Sequence, residues 1–199
     1  MPVLSLPTLP AASGNLTNAK QAWGNLPGAA LSLAIAEAAS AAKRFTLLLT
    51  ADSQSAERLE QELGFFAPEL PVLHFPDWET LPYDLFSPHQ DILSQRIAAL
   101  YRLPELAHGI LVVPITTALH RLAPTKFLLG SSLVLDVGKK LDVEQMRTRL
   151  QASGYRCVDT VYEHGEFAVR GAIIDLFPMG NPLPYRIDLF DDEIETLRT

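Results

Sequence analysis

The strongest constraint on this chain is a change of pattern part-way along it. Between about residues 28 and 123, helical stretches alternate with short, continuous apolar runs. "GAALSLAIAEAASAAK" is alanine-rich helix, and "RFTLLLT" (residues 44–50) is the kind of run that a parallel sheet buries on both faces. "DSQSAERLEQEL" follows as a helix that Asp52 or Ser53 can cap. Short strands are then expected at 71–75 and at "GILVVP", 109–114. Strands joined through helices run parallel, so this part can fold only as an α/β layer.

From about 123–130 the pattern shifts. "SSLVLDVG" reads as a strand, and "DVEQMRTRLQASG" as a helix capped by Asp142 and stopped at Gly154. Strands at 155–162, 166–170, 172–177, 184–190 and 193–198 then follow without helices, with turn signals at His164-Gly165 and at 179–182. That is a small α+β module with an antiparallel sheet. Its last strand runs to the final residue with no stop signal, as expected of a segment cut from a longer chain. Residues 1–22 read as an extended, proline-punctuated arm, with no basic start of the kind a signal peptide needs. The expected divisions are 1–22, 23–125 and 126–199.

Composition narrows the function. The net charge is −7, with 7 basic and 11 acidic residues before Ala123 and 9 and 12 from there on. Neither half is basic, which argues against broad attraction to nucleic acid or anionic lipid. The single cysteine, Cys157, excludes an internal disulfide and fits a reducing cytosol. No apolar run approaches the roughly 18–20 residues of a membrane span.

The stretch "HFPDWETLPYDLFSPHQD" (74–91) is dense in prolines, rings and acids. Ser87-Pro88-His89-Gln90 fits a capping box with Ser87 as N-cap. In the helix beyond it, Leu93, Ile97, Leu100 and Pro104 share a face, so that helix is expected to pack on the sheet. Asp77, Glu79, Asp84 and Asp91 could supply a carboxylate pair, but loop acids more often cap and solubilise. His74, His89, His108, His120 and His164 lack metal-ligand spacing.

A βαβ layer invites a phosphate site at "WGNLPGAALS" (23–32). A working P-loop needs Gly-x4-Gly-Lys-Ser/Thr, the lysine for the phosphates and the hydroxyl for magnesium. With Gly28 as the second glycine, Trp23 takes the first position (Gly24 follows it), Ala29 the lysine's and Ala30 the hydroxyl's. The motif is degenerate, with neither charge nor metal ligand.

The hairpin "PYRIDLFDDE" carries more information. Alternation points Tyr185, Ile187 and Leu189 one way, and Arg186, Asp188 and Phe190 the other. At about 3.3 Å per residue, Arg186 and Phe190 lie about 13 Å apart. An aromatic ring ringed by charge suits a docking patch. Equally, Phe190 could bend into the core while Arg186 pairs with Asp175 or Glu166.

"DWETLPYDLFSPHQDILSQRIAALYRL", "EHGEFAVRGAIIDLFPMG" and "LPYRIDLFDDEIETLR" resemble the N-terminal region of the bacterial transcription-repair coupling factors, itself similar to the excision-repair protein UvrB. The resemblance runs from about Trp23 to the end. It implies a degenerate helicase-like domain, the counterpart of UvrB domain 1A, followed by a UvrA-binding domain 2. It also implies loss of UvrB's DNA-gripping hairpin, leaving at 76–86 a stump packed by its own prolines and rings. The family's UvrA contacts fall on Arg170, Arg186 and Phe190. A full-length family member is implied to bind RNA polymerase and double-stranded DNA in the cytoplasm, to use ATP and magnesium, and to have no membrane role. This segment would be a non-enzymatic recruiter of UvrA without a cofactor. The alternative is a nucleotide-binding or ATP-hydrolysing domain.

Overall fold

The computed structural model describes residues 22–81, 84–130 and 133–199, so most of the arm expected at 1–22 lies outside the described residues. The chain divides into two compact units. One runs to Asp77 and resumes over Leu103–His120, and the other comprises Trp78–Arg102 and Arg121–Thr199.

The first unit holds α1 (Ala30–Ala42), β1 (Phe45–Thr50), α2 (Ser53–Phe66), β2 (Val72–His74), β3 (Gly109–Pro114) and α4 (Ile115–Ala118). Its three strands are parallel in the order β1-β3-β2. Asp52 caps α2 as expected, its carboxylate accepting from Ser55 N at 2.7 Å. Ile35, Ala36 and Ala39 of α1 meet Ala56, Leu59 and Leu63 of α2 over Ile110 and Val112 of β3. The alanine-rich composition of α1 lets the two helices approach closely on that one face. The expectation that both faces of β1 are buried fails. β1 is an edge strand, and its Phe45, Leu47 and Leu49 point away from the helices and are exposed.

The second unit holds α3 (Gln90–Arg102), α5 (Thr125–Gly130), α6 (Val143–Ala152) and strands β4 (Arg156–Cys157), β5 (Glu166–Arg170), β6 (Ile173–Phe177), β7 (Tyr185–Phe190) and β8 (Glu193–Arg198). The strands form one sheet in chain order. β5 to β8 are antiparallel, but β4 pairs parallel with β5, so the sheet is mixed rather than wholly antiparallel. The strand expected over 155–162 shrinks to two residues, because the chain then turns so that Tyr162 and Glu163 can bond to Glu166. Residues 133–136 are not a strand either. Leu133 and Leu135 pack irregularly on the core made by Met146, Leu150, Phe167, Ile174, Ile187 and Ile194. Asp142 caps α6 by accepting from Gln145 N at 2.9 Å, and Gly154 adopts the left-handed φ of +87° that ends it.

Three expectations about 76–104 are corrected. Helix α3 begins at Gln90, beyond Ser87 and Pro88. The His89 carbonyl accepts its first bonds and the His89 ring takes Asp91 N–H at 3.3 Å, so there is no Ser87 capping box. α3 belongs with the second unit, where it packs against α5, and not with the parallel strands. Polar ties explain this: Asp91 meets His164 Nδ1 at 2.7 Å, and Ser94 accepts from Gly180 N at 2.9 Å. Finally, the loop is only half packed. Trp78 lies under the buried Arg96 guanidinium, 3.9 Å from the ring centre, while Leu81, Leu85 and Phe86 project into solvent.

Candidate docking face on the second unit

Strand register assembles a face from residues far apart in sequence. Gly171, with φ +61°, turns β5 back into β6 and sets Arg170 opposite Ile173 and Ala168 opposite Asp175. Asp175 in turn lies opposite Arg186, and Ile173 opposite Asp188. Inward positions of the same strands are filled by Phe167, Ile174, Leu176, Ile187 and Leu189, all buried. The opposite side of the sheet carries Arg170, Asp175, Arg186, Asp188 and Phe190, with Ala168 and Ile173 among them.

Phe190 is 74% exposed, so it does not bend into the core. Arg186 does pair with Asp175, donating from Nε to Oδ1 at 2.6 Å and from Nη2 to Oδ2 at 2.9 Å. Arg170 Nη2 donates to the same Oδ2. The two guanidinium side chains keep 51% and 47% of their surface, whereas Asp175 keeps 13%. An arginine has five N–H donors. The shared carboxylate occupies only some of them, leaving Nη1 of Arg186 and most of the Arg170 fork for an outside acceptor. The Arg186 hydrogen bonds, helped by those of Arg170, hold the Asp175 carboxyl below its ordinary range against the opposing effect of burial, and Asp175 raises Arg186 reciprocally.

Glu166, the other partner considered for Arg186, is closed off. Its Oε2 accepts N–H of Tyr162 and of Glu163, each at 2.9 Å, and its Oε1 meets Arg156 at 3.0 Å. Burial there opposes the charge, yet these donors outweigh it and keep the carboxyl lowered.

Arg170, Arg186 and Phe190 thus share one surface. That Asp175 also takes Arg170 escaped the sequence reading, because alternation within a strand says nothing about the neighbour across it. So did a second cluster, Asp188 with Thr196 and Arg198.

The residues read from the sequence as a degenerate P-loop lie in the first unit. Gly24 and Gly28 precede α1, and Ala29 stands at its start without a side-chain cap bond, ahead of Ala30. A Cβ at either glycine would meet nothing within 4 Å, so no close approach demands glycine there, although the left-handed φ of +56° at Gly28 favours it. The first hydroxyl along the helix, Ser32, is buried and turned onto Glu62. Two of the loop acids have structural partners: Asp77 accepts from the Thr116 hydroxyl, 39 residues on, at 2.8 Å, and Asp84 accepts from its neighbour Leu85 N at 2.8 Å.

Residues 133–199, which carry the whole of this candidate face, match the family model of the UvrB interaction domain. The chain is also 48% identical over 191 residues, 96% of its length, to the transcription-repair-coupling factor of Escherichia coli (strain K12). The chain is the counterpart of one segment of the transcription-repair-coupling factors. It is 47% identical over 88% of its length to the Haemophilus influenzae factor, and 28% identical over 90% to that of Bacillus subtilis. It spans only about one sixth of those coupling factors, 15–16% of their lengths. The UvrB-type match begins at Leu133 and so covers the core, α6 and all five strands of the second unit.

Proposed function

We propose that this chain is the non-catalytic part of a transcription-repair coupling factor that recruits UvrA to RNA polymerase stalled at a lesion. The observation that carries the reading is Phe190, an exposed ring on the same sheet face as two aspartate-anchored arginines, inside the stretch that matches the UvrB interaction domain. Burying such a ring against a partner is worth roughly 1.5–3 kcal/mol. The adjacent arginine forks suit carboxylates, which they can hold with two parallel hydrogen bonds.

The parallel unit is read as a helicase-like domain that has lost its nucleotide chemistry, since Ala29 and Ala30 stand where a lysine and a hydroxyl would be needed. The segment then needs no cofactor. ATP, magnesium, RNA polymerase and double-stranded DNA belong to the rest of the full-length factor. Among the described residues no helix is long and apolar enough to cross a membrane, in keeping with a cytoplasmic role. Titration of the chain into purified UvrA is the direct test. A saturable complex is expected, and no heat or anisotropy change with UvrA in the tens of micromolar would overturn the reading.

A further inference from the structure

We propose that the docking face does not end at β7 but continues onto β8 through Arg198, making an arginine-rich plate that fits a carboxylate-bearing protein surface. This rests on the reading of the face as the UvrA-docking surface.

The register places Arg198 directly opposite Arg186. Like charges directly across a pair of strands destabilise a sheet. Here the two arginines are neutralised sideways by different aspartates. Arg186 takes Asp175, and Arg198 donates to Asp188 Oδ2 from Nη2 at 2.6 Å and from Nε at 3.1 Å. Thr196 adds a hydroxyl to the same oxygen at 2.5 Å. The Asp188 carboxyl is lowered first by the Thr196 bond and then by Arg198. The arrangement around Asp175 is therefore repeated one strand along, and both arginines remain exposed.

Two consequences follow for a partner. The guanidinium groups are already held, so little side-chain freedom is left to lose on docking. Around the arginines themselves the plate holds three guanidinium groups (Arg170, Arg186, Arg198) against two aspartates (Asp175, Asp188), a local excess of positive charge on a chain of net charge −7, with a further acid, Glu193, set apart opposite Phe190. An acidic protein surface is attracted to that plate while most of the chain repels it, which orients the encounter. Duplex DNA fits less well, because the two aspartates lie between the arginines and the chain as a whole is acidic.

The test uses the whole chain with purified UvrA, measuring association rate, Kd and melting temperature for Arg186→Ala, Arg198→Ala, Arg198→Lys and Arg198→Glu. Arg198→Ala is expected to weaken binding by about threefold to tenfold and Arg198→Glu by more, chiefly through slower association that depends less on salt. Arg198→Lys keeps the charge and should retain most of the association rate, a rescue that a purely structural role would not produce. If Arg186→Ala abolishes binding while Arg198→Ala and Arg198→Glu bind as the parent does, the extension is wrong and the docking face ends at β7. If no variant, Arg186→Ala included, changes binding, the underlying reading fails as well. Tight duplex DNA binding that Arg198→Glu abolishes would overturn the choice of a protein partner.

Discussion

Arg186 and Asp175 face each other directly across β6 and β7, and two arginine nitrogens meet the two carboxylate oxygens at 2.6 and 2.9 Å. Arg170 closes on the same carboxylate from β5. Two like charges are thus fixed side by side by one acid between them. Removing that acid leaves the arginines to repel each other and to lose their orientation. Asp175→Ala is expected to weaken UvrA binding about tenfold even though both arginines remain. The control is Asp175→Glu, which should recover part of the loss. Unchanged affinity in Asp175→Ala would show that the shared carboxylate does not set the face.

The pH dependence has a definite sign. Asp175 and Asp188 both titrate below their ordinary value in the folded chain. A lowered acid contributes stability above its unfolded pKa of about 3.9, and that contribution is lost as pH falls through the lower, folded value. The stability gap between the parent and Asp175→Asn should therefore be constant near neutrality and close below about pH 4. Urea midpoints across that range would measure it. A gap that closes at about pH 6 would point to a different group.

Alternation along β7 makes a paired forecast about stability. Ile187 is fully buried, so Ile187→Ala should cost about 2–5 kcal/mol. Phe190 is largely exposed, so Phe190→Ala should stay within about 0.5 kcal/mol of the parent. Chemical denaturation of the two variants decides the matter, and a large loss in Phe190→Ala would return that ring to the core.

The start of α1 should not hold a nucleotide. Its backbone could still present N–H groups, but Ala29 and Ala30 bring no charge and no metal ligand, and the Ser32 hydroxyl is taken by Glu62. Calorimetry with Mg-ATP is expected to show no binding in the micromolar range. A micromolar site abolished by Gly28→Trp would contradict that.

Much of this fold was legible because local chemistry and final structure agree. Asp52 and Asp142 cap their helices where the sequence placed them, and strands 109–114, 166–170 and 193–198 begin and end as expected. The failures share a cause. Phe45, Leu47 and Leu49 form an apolar run whose burial depends on how many layers cover an edge strand, which no local pattern reveals. Ser87 has the composition of a cap, but α3 is tied elsewhere by Asp91 and Ser94 through contacts 73 and 86 residues distant in the chain. In the candidate site, alternation gave the outward side of Arg186 and Phe190, and the resemblance singled out Arg170. The bonding of Arg170 and Arg186 to one aspartate, and the Arg198 cluster beside them, required the register of four strands.

The central claim is that Arg170, Arg186 and Phe190 act as one docking surface for UvrA. It is tested most directly by measuring UvrA affinity and melting temperature together for Arg170→Ala, Arg186→Ala and Phe190→Ala. The account predicts folded variants, with a melting temperature close to the parent's for Phe190→Ala and modestly lowered for the two arginine variants that lose a bond to Asp175, and affinity reduced about thirtyfold, the equivalent of roughly 2 kcal/mol for a truncated anchor. Three stable variants that bind UvrA as tightly as the parent would contradict it.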